Sequence, residues 1–285
     1  MTLGEAERTQ RNVKLIQSEP TVSIVIPAKN EAKNLPHVFA ALPFDLYEVI
    51  LVDGDSTDDT VEVTRRLRPD ITVIGQTRRG KGNAIACGFV AATGDFIVMI
   101  DADGSNNPAE IPRFVDALKE GADFAKGSRF LPGGGSSDIS RIRRVGNYWL
   151  NKIVNHLYGT AYTDLCYGYN AFRRECLSVM DLKAGDVDGT DDGSLPWGDG
   201  FEVETLINVR IAKAHLRITE VPSFEFSRRF GASNLNAFSD GCRVLRTIHA
   251  ERKRGSRRAN ARETSPSREI GASWSVISTW TEEAS

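Results

Sequence analysis

The chain has 285 residues, of which 40% are hydrophobic and 26% are charged, and its 36 basic and 38 acidic side chains leave a net charge of −2. This composition is typical of a globular protein with a large core. It argues against a mainly nucleic-acid-binding protein, which would carry a basic excess. No apolar run reaches the roughly 18 residues of a membrane-spanning helix. Residues 1–20, which we predict to be a mobile leader, lack the apolar stretch of a secretory signal.

The four cysteines predict reduced, structural thiols rather than a metal site or a disulfide framework. They stand far apart in the sequence, form no Cys-x-x-Cys pair and have no histidine cluster beside them. Zinc sites and disulfide frameworks need closer spacing, and the cytosol keeps thiols reduced. We therefore expect a cytoplasmic protein, with the alternative that it lies peripherally at the inner face of the membrane.

Four short apolar runs rich in β-branched residues predict buried strands in the first half of the chain. The runs are TVSIVIPA, YEVILVDG, DITVIG and GDFIVMID. Helical patterns lie between or after them, over residues 34–42, 58–67, 83–92 and 108–119. Strands that alternate with helices predict an α/β fold, with a mainly parallel sheet and helices on both of its faces.

The second half is predicted to contain longer loops between its helices. Residues 132–138 and 181–200 are rich in glycine, serine or aspartate, which favours loops. Helices are predicted over residues 147–158, 201–214 and 236–249, with a strand in LRITEVPSF. We treat residues 21–250 as one domain. Residues 251–285, which begin with a basic cluster, are predicted to form a disordered tail.

Polar residues follow three of the predicted strands at the point where each strand ends. The first strand runs into PAKNE, the second into DGDS at residues 53–56, and the fourth into DAD at residues 101–103. A helix cap or a turn would explain any one of these side chains. Ligands of open α/β sheets, however, bind beyond the carboxyl ends of the strands. The coincidence of three polar ends therefore favours a ligand site at this edge.

The paired carboxylates of Asp101 and Asp103 are the sharpest signal at this edge. They lie one residue apart directly after the apolar run FIVMI, and carboxylates so placed repel each other unless a cation lies between them. Oxygen ligands suit Mg²⁺ or Mn²⁺, which bind one or two carboxylates together with substrate phosphates. We therefore predict a metal site that holds a diphosphate and neutralises a phosphate leaving group.

The segment RRGKGNA, residues 78–84, predicts a phosphate contact at the start of a helix. Its glycines allow a close approach of the backbone, and a helix N-terminus attracts anions. The segment is not a Walker loop, because GxxxxGK[ST] is absent, and it lacks the third glycine of the dinucleotide fingerprint. These absences count against an NTPase and against a dehydrogenase.

Together with other segments, these features resemble the family 2 glycosyltransferases, which have the GT-A fold. The matching segments, in the family's order over residues 22–235, are SIVIPAKNE, EVILVDGDSTDDT, RRGKGNA, GDFIVMIDADGS, KGSRF, TDLCYGYNAFRR and GFEVETLINVR. Within the family, the chain resembles the dolichol- or polyprenyl-phosphate mannosyl- and glucosyltransferases, without their membrane helices. The resemblance implies a Rossmann-like GT-A domain in which residues 21–130 bind a nucleotide-sugar and residues 131–250 bind the acceptor.

The resemblance also implies roles in donor binding. Asp53 is expected to bind the base or the ribose, and Lys81 is expected to approach the diphosphate. Asp103 is expected to be the principal metal ligand, with Asp101 beside it. Further donor contacts are expected from Pro27, Ala28, Asn30, Glu31, Asp55, Ala102 and Arg229. The lipid-phosphate members of the family often have glutamine two residues after the metal-binding aspartate, where this chain has Ser105.

Catalytic roles are expected for Arg129, Asp199 and Glu202. The resemblance implies that Arg129, in the segment KGSRF, binds the acceptor or the diphosphate. If the acceptor is a hydroxyl group, a carboxylate must take its proton, and Asp199 is our first candidate and Glu202 our second. A lipid phosphate is already an anion and needs no general base.

The predicted activity is the metal-dependent transfer of a hexose from a GDP- or UDP-sugar to an acceptor, with inversion implied by the resemblance. A polyprenyl phosphate acceptor agrees with the resemblance. It also agrees with the six basic residues between Arg252 and Arg262, which would contact anionic lipid at the membrane surface. A soluble acceptor, such as a sugar acid or a specialised metabolite, is the alternative.

Two rivals come from other classes of protein. A sugar-nucleotide nucleotidyltransferase also uses a parallel sheet and a carboxylate-bound metal. Such enzymes carry a glycine-rich basic loop after the first strand, and PAKNEAKN lacks it. A non-enzymatic nucleotide-sugar-binding module is the second rival. The released product separates the classes, because a transferase releases GDP or UDP and a nucleotidyltransferase releases pyrophosphate.

Overall fold

The computed structural model of the chain describes residues 19–43, 46–185, 195–231 and 237–263. Three predicted segments lie outside these residues. They are residues 1–18 of the leader, 186–194 of the second loop and 264–285 of the tail. What the sequence predicts for those segments stays a prediction.

The first half of the domain alternates strands and helices, as predicted. Its strands are β1 (Val22–Ala28), β2 (Glu48–Asp53), β3 (Thr72–Gly75) and β4 (Phe96–Met99). Its helices are α1 (Leu35–Ala41), α2 (Thr60–Leu67), α3 (Lys81–Ala91) and, after a 3₁₀ turn at Pro108–Glu110, α4 (Ile111–Lys119). Each of these elements lies on a segment that the apolar pattern indicated.

In the second half, the sequence did not predict two strands of the main sheet, β5 and β7, and the short strand β6 lies in the segment 132–138 that was predicted to be a loop. Its strands are β5 (Phe124–Ser128), β6 (Gly135–Ser136), β7 (Asn170–Arg173), β8 (Ile218–Pro222) and β9 (Phe224–Glu225). Its helices are α5 (Arg141–Tyr158), α6 (Leu177–Met180), α7 (Val203–Lys213) and α8 (Ala237–Glu263), with a 3₁₀ turn at Arg174–Cys176 before α6. The sequences of β5 and β7, FAKGS and NAFR, contain no continuous apolar run, so they lack the signal of a buried strand.

The main sheet has seven strands in the order β3-β2-β1-β4-β7-β5-β8. All neighbouring strands are parallel except that β7 runs antiparallel to both β4 and β5. Ala28 of β1 lies beside Asp53 of β2, which in turn lies beside Gly75 of β3. The polar residues after β1 and β2 therefore emerge at one edge, as the prediction of a mainly parallel sheet required. A small second sheet pairs β6 with β9.

Helices cover both faces of the sheet, which is why its strands are apolar along their length. Ile24 and Ile26 of β1 belong to one buried cluster with Phe114 of α4. Val25, between them, belongs to a second cluster with Ile85 of α3. Successive side chains of a strand point to opposite faces, so both faces are core. This scaffold positions the strand ends that carry the polar residues.

The last helix is longer than predicted. The sequence pattern indicated a helix over residues 236–249, whereas α8 continues to Glu263, so residues 251–263 are helical although they were predicted to begin a disordered tail. Glu251 gives a physical reason, because its carboxylate is buried and accepts hydrogen bonds from Arg210 Nη2 (3.1 Å) and Lys213 Nζ (3.2 Å) of α7. These bonds hold α8 against α7 beyond the predicted end.

Within the described ranges of the chain, none of the helices is both long enough and apolar enough to cross a membrane.

The four cysteines carry free thiols. Burial raises the pKa of the Cys166 and Cys176 thiols to about 12. Both stay protonated at neutral pH, which agrees with a structural role.

Candidate active site

A cavity of about 2060 Å³ lies at the carboxyl ends of β1, β2 and β4, where the sequence predicted a ligand site. Most of the predicted site residues line it. They are Pro27, Ala28, Asn30, Glu31, Lys81, Asp101, Ala102, Asp103, Arg129 and Glu202. The residues that do not belong to its lining are Asp53, Asp55, Asp199 and Arg229. The fold thus brings together residues from five distant segments of the chain.

Asn30 and Asp55 shape the loops that follow β1 and β2. Their φ angles are 58° and 63°, in the left-handed region that Asn and Asp enter more readily than most residues. The Asn30 side chain accepts a hydrogen bond from Thr57 N (2.8 Å), and its backbone N–H donates to Ser56 Oγ (2.9 Å). Asn30 therefore connects the two loops at the cavity, whereas Asp55 is exposed outside its lining.

Asp53 has a buried oxygen without a protein partner. Its Oδ2 accepts a hydrogen bond from Ser56 N (3.2 Å), but its Oδ1 is buried and accepts none within the described residues. The adjacent Gly54 and the nearby Gln76 line the cavity. A buried acceptor without a donor costs free energy. Asp53 Oδ1 therefore fits a hydrogen-bond donor of a ligand, such as a ribose hydroxyl or a base N–H.

We expect the Asp53→Ala variant to bind free UDP or GDP about 10- to 100-fold more weakly than the wild type. A hydrogen bond to a charged group contributes about 1.5–3 kcal/mol, which corresponds to that range of affinity. Titration calorimetry measures the change directly. The matched control is Asp116→Ala at an exposed position of α4. If the two variants bind the nucleotide with equal affinity, the nucleotide does not contact Asp53.

Lys81, the first residue of α3, joins two carboxylates. Its Nζ lies 2.7 Å from Asp101 Oδ1 and 2.7 Å from Glu204 Oε1. Burial lowers the pKa of Lys81, but the two carboxylates outweigh burial and raise it above its ordinary value. Lys81 therefore stays charged and holds Asp101 at the cavity wall.

The carboxylates of Asp101 and Asp103 both line the cavity. Asp101 is bound by Lys81, and Asp103 Oδ1 accepts a hydrogen bond from Ser105 N (2.9 Å). In the part of the chain that the structure describes, no three His, Cys, Asp or Glu side chains form a group able to hold a metal. This donor set fits Mg²⁺ or Mn²⁺ held mainly by Asp103, with other ligands from a bound diphosphate.

The glycines of RRGKGNA permit a close approach of protein backbone rather than of a phosphate. A Cβ atom at Gly80 or Gly82 would collide with the carbonyl groups of Asp199 and Gly198, and Gly80 has a φ of 118°. Gly82 N–H donates to the carbonyl oxygen of Asp199 at 2.8 Å. That N–H is therefore unavailable to a phosphate. The glycines instead allow the start of α3 to pack closely against the loop before α7.

The two arginines before Gly80 have different surroundings. Arg78 donates to the Asp199 carboxylate from Nε (2.8 Å) and Nη2 (2.9 Å). Arg79 is exposed, lines the cavity and has no ion-pair partner among the described residues. Of these two arginines, Arg79 is therefore the one that an anionic ligand in the cavity can reach.

The two candidate bases differ in their access to the cavity. Both carboxylate oxygens of Asp199 are bonded to Arg78, and the residue lies outside the cavity lining. Glu202 lines the cavity, and its Oε1 accepts hydrogen bonds from Gly198 N (3.0 Å) and Gly200 N (3.2 Å). The geometry therefore favours Glu202 over Asp199, the reverse of the order that the sequence suggested.

Arg129 lies at the cavity wall, but all three of its guanidinium nitrogens are bonded to carboxylates. Nε and Nη2 donate to Asp164 at 2.7 and 2.9 Å, and Nη1 donates to both oxygens of Glu225 at 3.0 Å. Arg129 is 5% exposed and Asp164 is fully buried. Burial lowers the pKa of Arg129, but the two carboxylates outweigh it and raise the pKa. In this structure, Arg129 positions the cavity wall, and its predicted contact with substrate stays a prediction.

Arg228, rather than the predicted Arg229, lines the cavity. Its Nη2 is bonded to Glu31 Oε1, and Asn34 Nδ2 donates to Glu31 Oε2 at 2.6 Å. Burial raises the pKa of Glu31 and outweighs the hydrogen bond from Asn34 and the charge of Arg228. These contacts connect the segment after β9 with the end of β1. Arg229 is exposed outside the cavity lining.

Arg79, Glu204 and Arg228 line the cavity, although the sequence prediction chose a neighbouring residue of each segment instead. Each is adjacent to, or two positions from, a residue that was predicted, so the segments themselves carried the signal. Glu204, at the start of α7, also has the simpler interpretation of an acidic residue that complements the helix dipole. Which member of each segment faces the cavity depends on contacts between distant segments.

Comparisons with known proteins identify the family. The family profile described as Glycosyl transferase family 2 matches residues 23–180. The chain is 35% identical to the polyprenol monophosphomannose synthase of Mycolicibacterium smegmatis over 223 residues, which are 75% of this chain and 80% of that protein. It is 29% identical to glycosyltransferase AglJ of Haloferax volcanii over 242 residues, which are 81% of this chain and 72% of that protein.

A solved structure shows the same fold. The glucosyl-3-phosphoglycerate synthase from Mycobacterium tuberculosis, in complex with Mn²⁺, UDP and glucosyl-3-phosphoglycerate, matches with a TM-score of 0.59 and 22% identity. The match covers 88% of this chain and 84% of that chain. The predicted α/β fold of the GT-A type is confirmed. The chain therefore belongs to glycosyl transferase family 2 and is a hexosyltransferase of that family.

Proposed function

We propose that this hexosyltransferase moves a hexose from a nucleotide-sugar to a polyprenyl phosphate. The observation that carries the proposal is that one cavity is lined by both charged and apolar side chains. Its charged lining includes Asp101, Asp103 and Arg79, and its apolar lining, here called the apolar wall, includes Ile139, Ile142, Leu150, Phe226, Phe230 and Val244. An acceptor with an anionic head and a hydrocarbon chain is complementary to both parts. The relative from M. smegmatis is named for the same class of acceptor.

The nucleotide of the donor is proposed to lie over the ends of β1 and β2. Pro27 and Ala28 line the cavity there, and Asp53 Oδ1 is the buried acceptor that needs a donor group. Arg79 lies just before α3 and lines the cavity, so its positive charge favours an anionic diphosphate there. The sugar would then lie toward Ala102, between the nucleotide and the apolar wall.

The metal is proposed to lie between Asp103 and the diphosphate, with Asp101 beside it. When bound there, Mg²⁺ or Mn²⁺ would neutralise the negative charge that develops on the departing diphosphate. The chain's own contribution is to hold the two carboxylates in place. Lys81 holds Asp101, and the Ser105 N–H holds Asp103.

In the proposed transfer, an oxygen of the acceptor phosphate attacks the anomeric carbon opposite the leaving group. The bond from that carbon to the acceptor oxygen forms while its bond to the diphosphate oxygen breaks, so the nucleoside diphosphate leaves and the configuration inverts. The acceptor phosphate is already an anion, so no proton has to be removed. With a hydroxyl acceptor, Glu202 would be the carboxylate at the cavity that takes the proton.

Product analysis with the full chain tests this function. We expect radiolabelled hexose from a GDP- or UDP-sugar to enter the organic phase when polyprenyl phosphate and Mn²⁺ are present, with release of GDP or UDP. Label that appears only on an added sugar acid or phosphorylated metabolite would assign the enzyme a soluble acceptor. Release of pyrophosphate would contradict a transferase and indicate a nucleotidyltransferase.

A separate part of the proposal is that the basic residues of α8 between Arg252 and Arg262 contact a membrane. Arg252 and Lys253 are exposed on α8, whereas Glu251 between α8 and α7 is buried. Exposed cations near an anionic surface favour association. Residues 264–285 lie outside the described residues.

A further inference from the structure

Four arginines from the segments after β5 line the cavity, and three of them donate hydrogen bonds to carboxylates. The three are Arg129, which is bonded to Asp164 and Glu225, Arg143, which is bonded to Asp138 at 2.9 Å, and Arg228, which is bonded to Glu31. A phosphate reaches any of these three only in competition with a carboxylate. The fourth is Arg243 of α8, whose side chain is exposed at the cavity.

Arg243 lies beside the carboxylate of Glu202. Its Nε is 4.0 Å from Glu202 Oε2, and both residues line the cavity. This separation is longer than a hydrogen bond, so the two side chains form an ion pair without a direct hydrogen bond. A guanidinium has five N–H donors. Arg243 can therefore bind two oxygens of a phosphate and still remain beside Glu202.

The rotation of α8 about its axis is fixed by contacts on one side of the helix. Val244 packs against the apolar cluster that contains Ile248, and Glu251 is bonded to two basic residues of α7. Val244, Ile248 and Glu251 recur at spacings of four and three residues, which places them on one face of the helix. Arg243 directly precedes Val244, and these contacts therefore place it at the cavity.

An anionic acceptor near Glu202 needs a cation beside it, because two negative charges at close range repel each other. Glu202 alone would disfavour a phosphate and favour a neutral hydroxyl acceptor. The guanidinium of Arg243 offsets the charge of Glu202 and adds N–H donors for phosphate oxygens. Val244, the next residue of α8, belongs to the apolar wall. A phosphate bound at Arg243 therefore has an apolar side chain close to it.

We propose that Arg243 binds the anionic group of the acceptor, a phosphate monoester, and thereby selects an anionic acceptor over a neutral one. The inference rests on the proposed function in that the acceptor carries a phosphate. A prenyl phosphate and a soluble phosphorylated metabolite share this chemistry, so the experiment has to separate the two sources. The diphosphate of the donor is proposed to lie elsewhere in the cavity, at Arg79 and Asp103.

Titration calorimetry of the full chain, saturated with Mn²⁺ and UDP or GDP, tests the proposal. The variant is Arg243→Gln, and the matched control is Arg246→Gln, which removes the same charge from an exposed position of α8 outside the cavity lining. The probes are geranyl phosphate, which has an apolar chain, and glycerol 3-phosphate, which has none. Wild type and control should bind geranyl phosphate equally, and Arg243→Gln should bind it about tenfold more weakly or worse. All three proteins should melt at similar temperatures, because both arginines are exposed.

Steady-state transfer to geranyl phosphate separates acceptor binding from other roles of Arg243. In Arg243→Gln, the KM for geranyl phosphate should rise about tenfold or more. The KM for the nucleotide-sugar, and the rate at which water hydrolyses it, should stay those of the control. Arg243→Lys keeps the charge but loses the planar pair of donors, so its KM for geranyl phosphate should lie between those of the wild type and Arg243→Gln. A residue that only stabilised α8 would not change one KM selectively.

The outcomes separate this phosphate site from the proposed function. Equal affinity for geranyl phosphate in Arg243→Gln and the control overturns the site, even if both transfer hexose to prenyl phosphates. A change confined to kcat or to its pH dependence also overturns it, and makes Arg243 a partner of Glu202 only. Binding of glycerol 3-phosphate but not of geranyl phosphate, lost in Arg243→Gln, supports the site and rejects the proposed acceptor. A wild type that binds neither monoester overturns the site, whereas transfer to long-chain polyprenyl phosphate decides the proposed function separately.

Discussion

The Asp103→Asn substitution is expected to lower turnover by about a hundredfold or more while the fold stays intact. A metal that stabilises a departing diphosphate contributes several kcal/mol, and about 1.4 kcal/mol corresponds to a tenfold change in rate. Asparagine keeps the Oδ1 that accepts the Ser105 N–H at 2.9 Å, so the turn survives while one negative charge is lost. Steady-state turnover with excess nucleotide-sugar and Mn²⁺, together with the melting temperature, measures both effects.

The control for this substitution is Asp116→Asn, which removes the same charge from an exposed position of α4. It should retain wild-type turnover. Chelation of divalent metals from the wild type should reproduce the loss of activity, and added Mn²⁺ should restore it. Full turnover after exhaustive chelation would contradict the metal site, as would an Asp103→Asn variant that is as active as the control.

The Asp164→Asn substitution is expected to lower the free energy of unfolding by about 3 kcal/mol or more. Breaking one partner of a buried ion pair costs about 3–5 kcal/mol. Asp164 is fully buried and accepts hydrogen bonds from Arg129 Nε, Nη2 and backbone N. Asparagine has a single oxygen for these donors and leaves the guanidinium only Glu225 as an anionic partner. The melting temperature should fall by about 10 °C for a domain of this size, which thermal and urea unfolding would show.

Asp70→Asn provides the comparison for this prediction. Asp70 also pairs with an arginine, Arg68 at 2.7 Å, but its side chain is 61% exposed. An exposed ion pair contributes about 0–1 kcal/mol because water already solvates both charges. We expect a small change in stability for Asp70→Asn. Equal stability of the two variants would show that Arg129 does not depend on Asp164, and the assignment of Arg129 as a positioning residue would be wrong.

The first half of the fold was predictable because its strands are buried on both faces. All four residues of β4 are buried, for example, and a strand in that position has to be apolar along its whole length. This pattern is visible without knowledge of any neighbour. The polar residues directly after such strands were therefore predictable as a group at one edge of the sheet.

Strand β5 shows where such patterns stop being informative. Lys126 lies in the middle of it and is completely buried, and its Nζ donates to the carbonyl oxygens of Tyr167 (2.5 Å) and Gly127 (3.1 Å). Burial lowers the pKa of Lys126. A buried lysine is tolerated only where such acceptors exist, and Tyr167 comes from a distant segment. The local sequence FAKGS therefore does not have the pattern of a core strand.

Local sequence patterns suffice to predict the strands and helices of the first half of the chain, and hence the edge of the sheet at which the polar segments after β1, β2 and β4 emerge. Hydrophobic periodicity and the residues at strand ends are local properties, so no partner is needed to detect them. Which polar side chains face the cavity depends instead on the tertiary fold. Arg78 and Asp199, 121 positions apart, bond to each other, which leaves Arg79 and Glu202 at the cavity instead. The sequence does not show which of two neighbouring charged side chains faces the cavity, because the direction of each side chain depends on ion pairs and packing between distant segments.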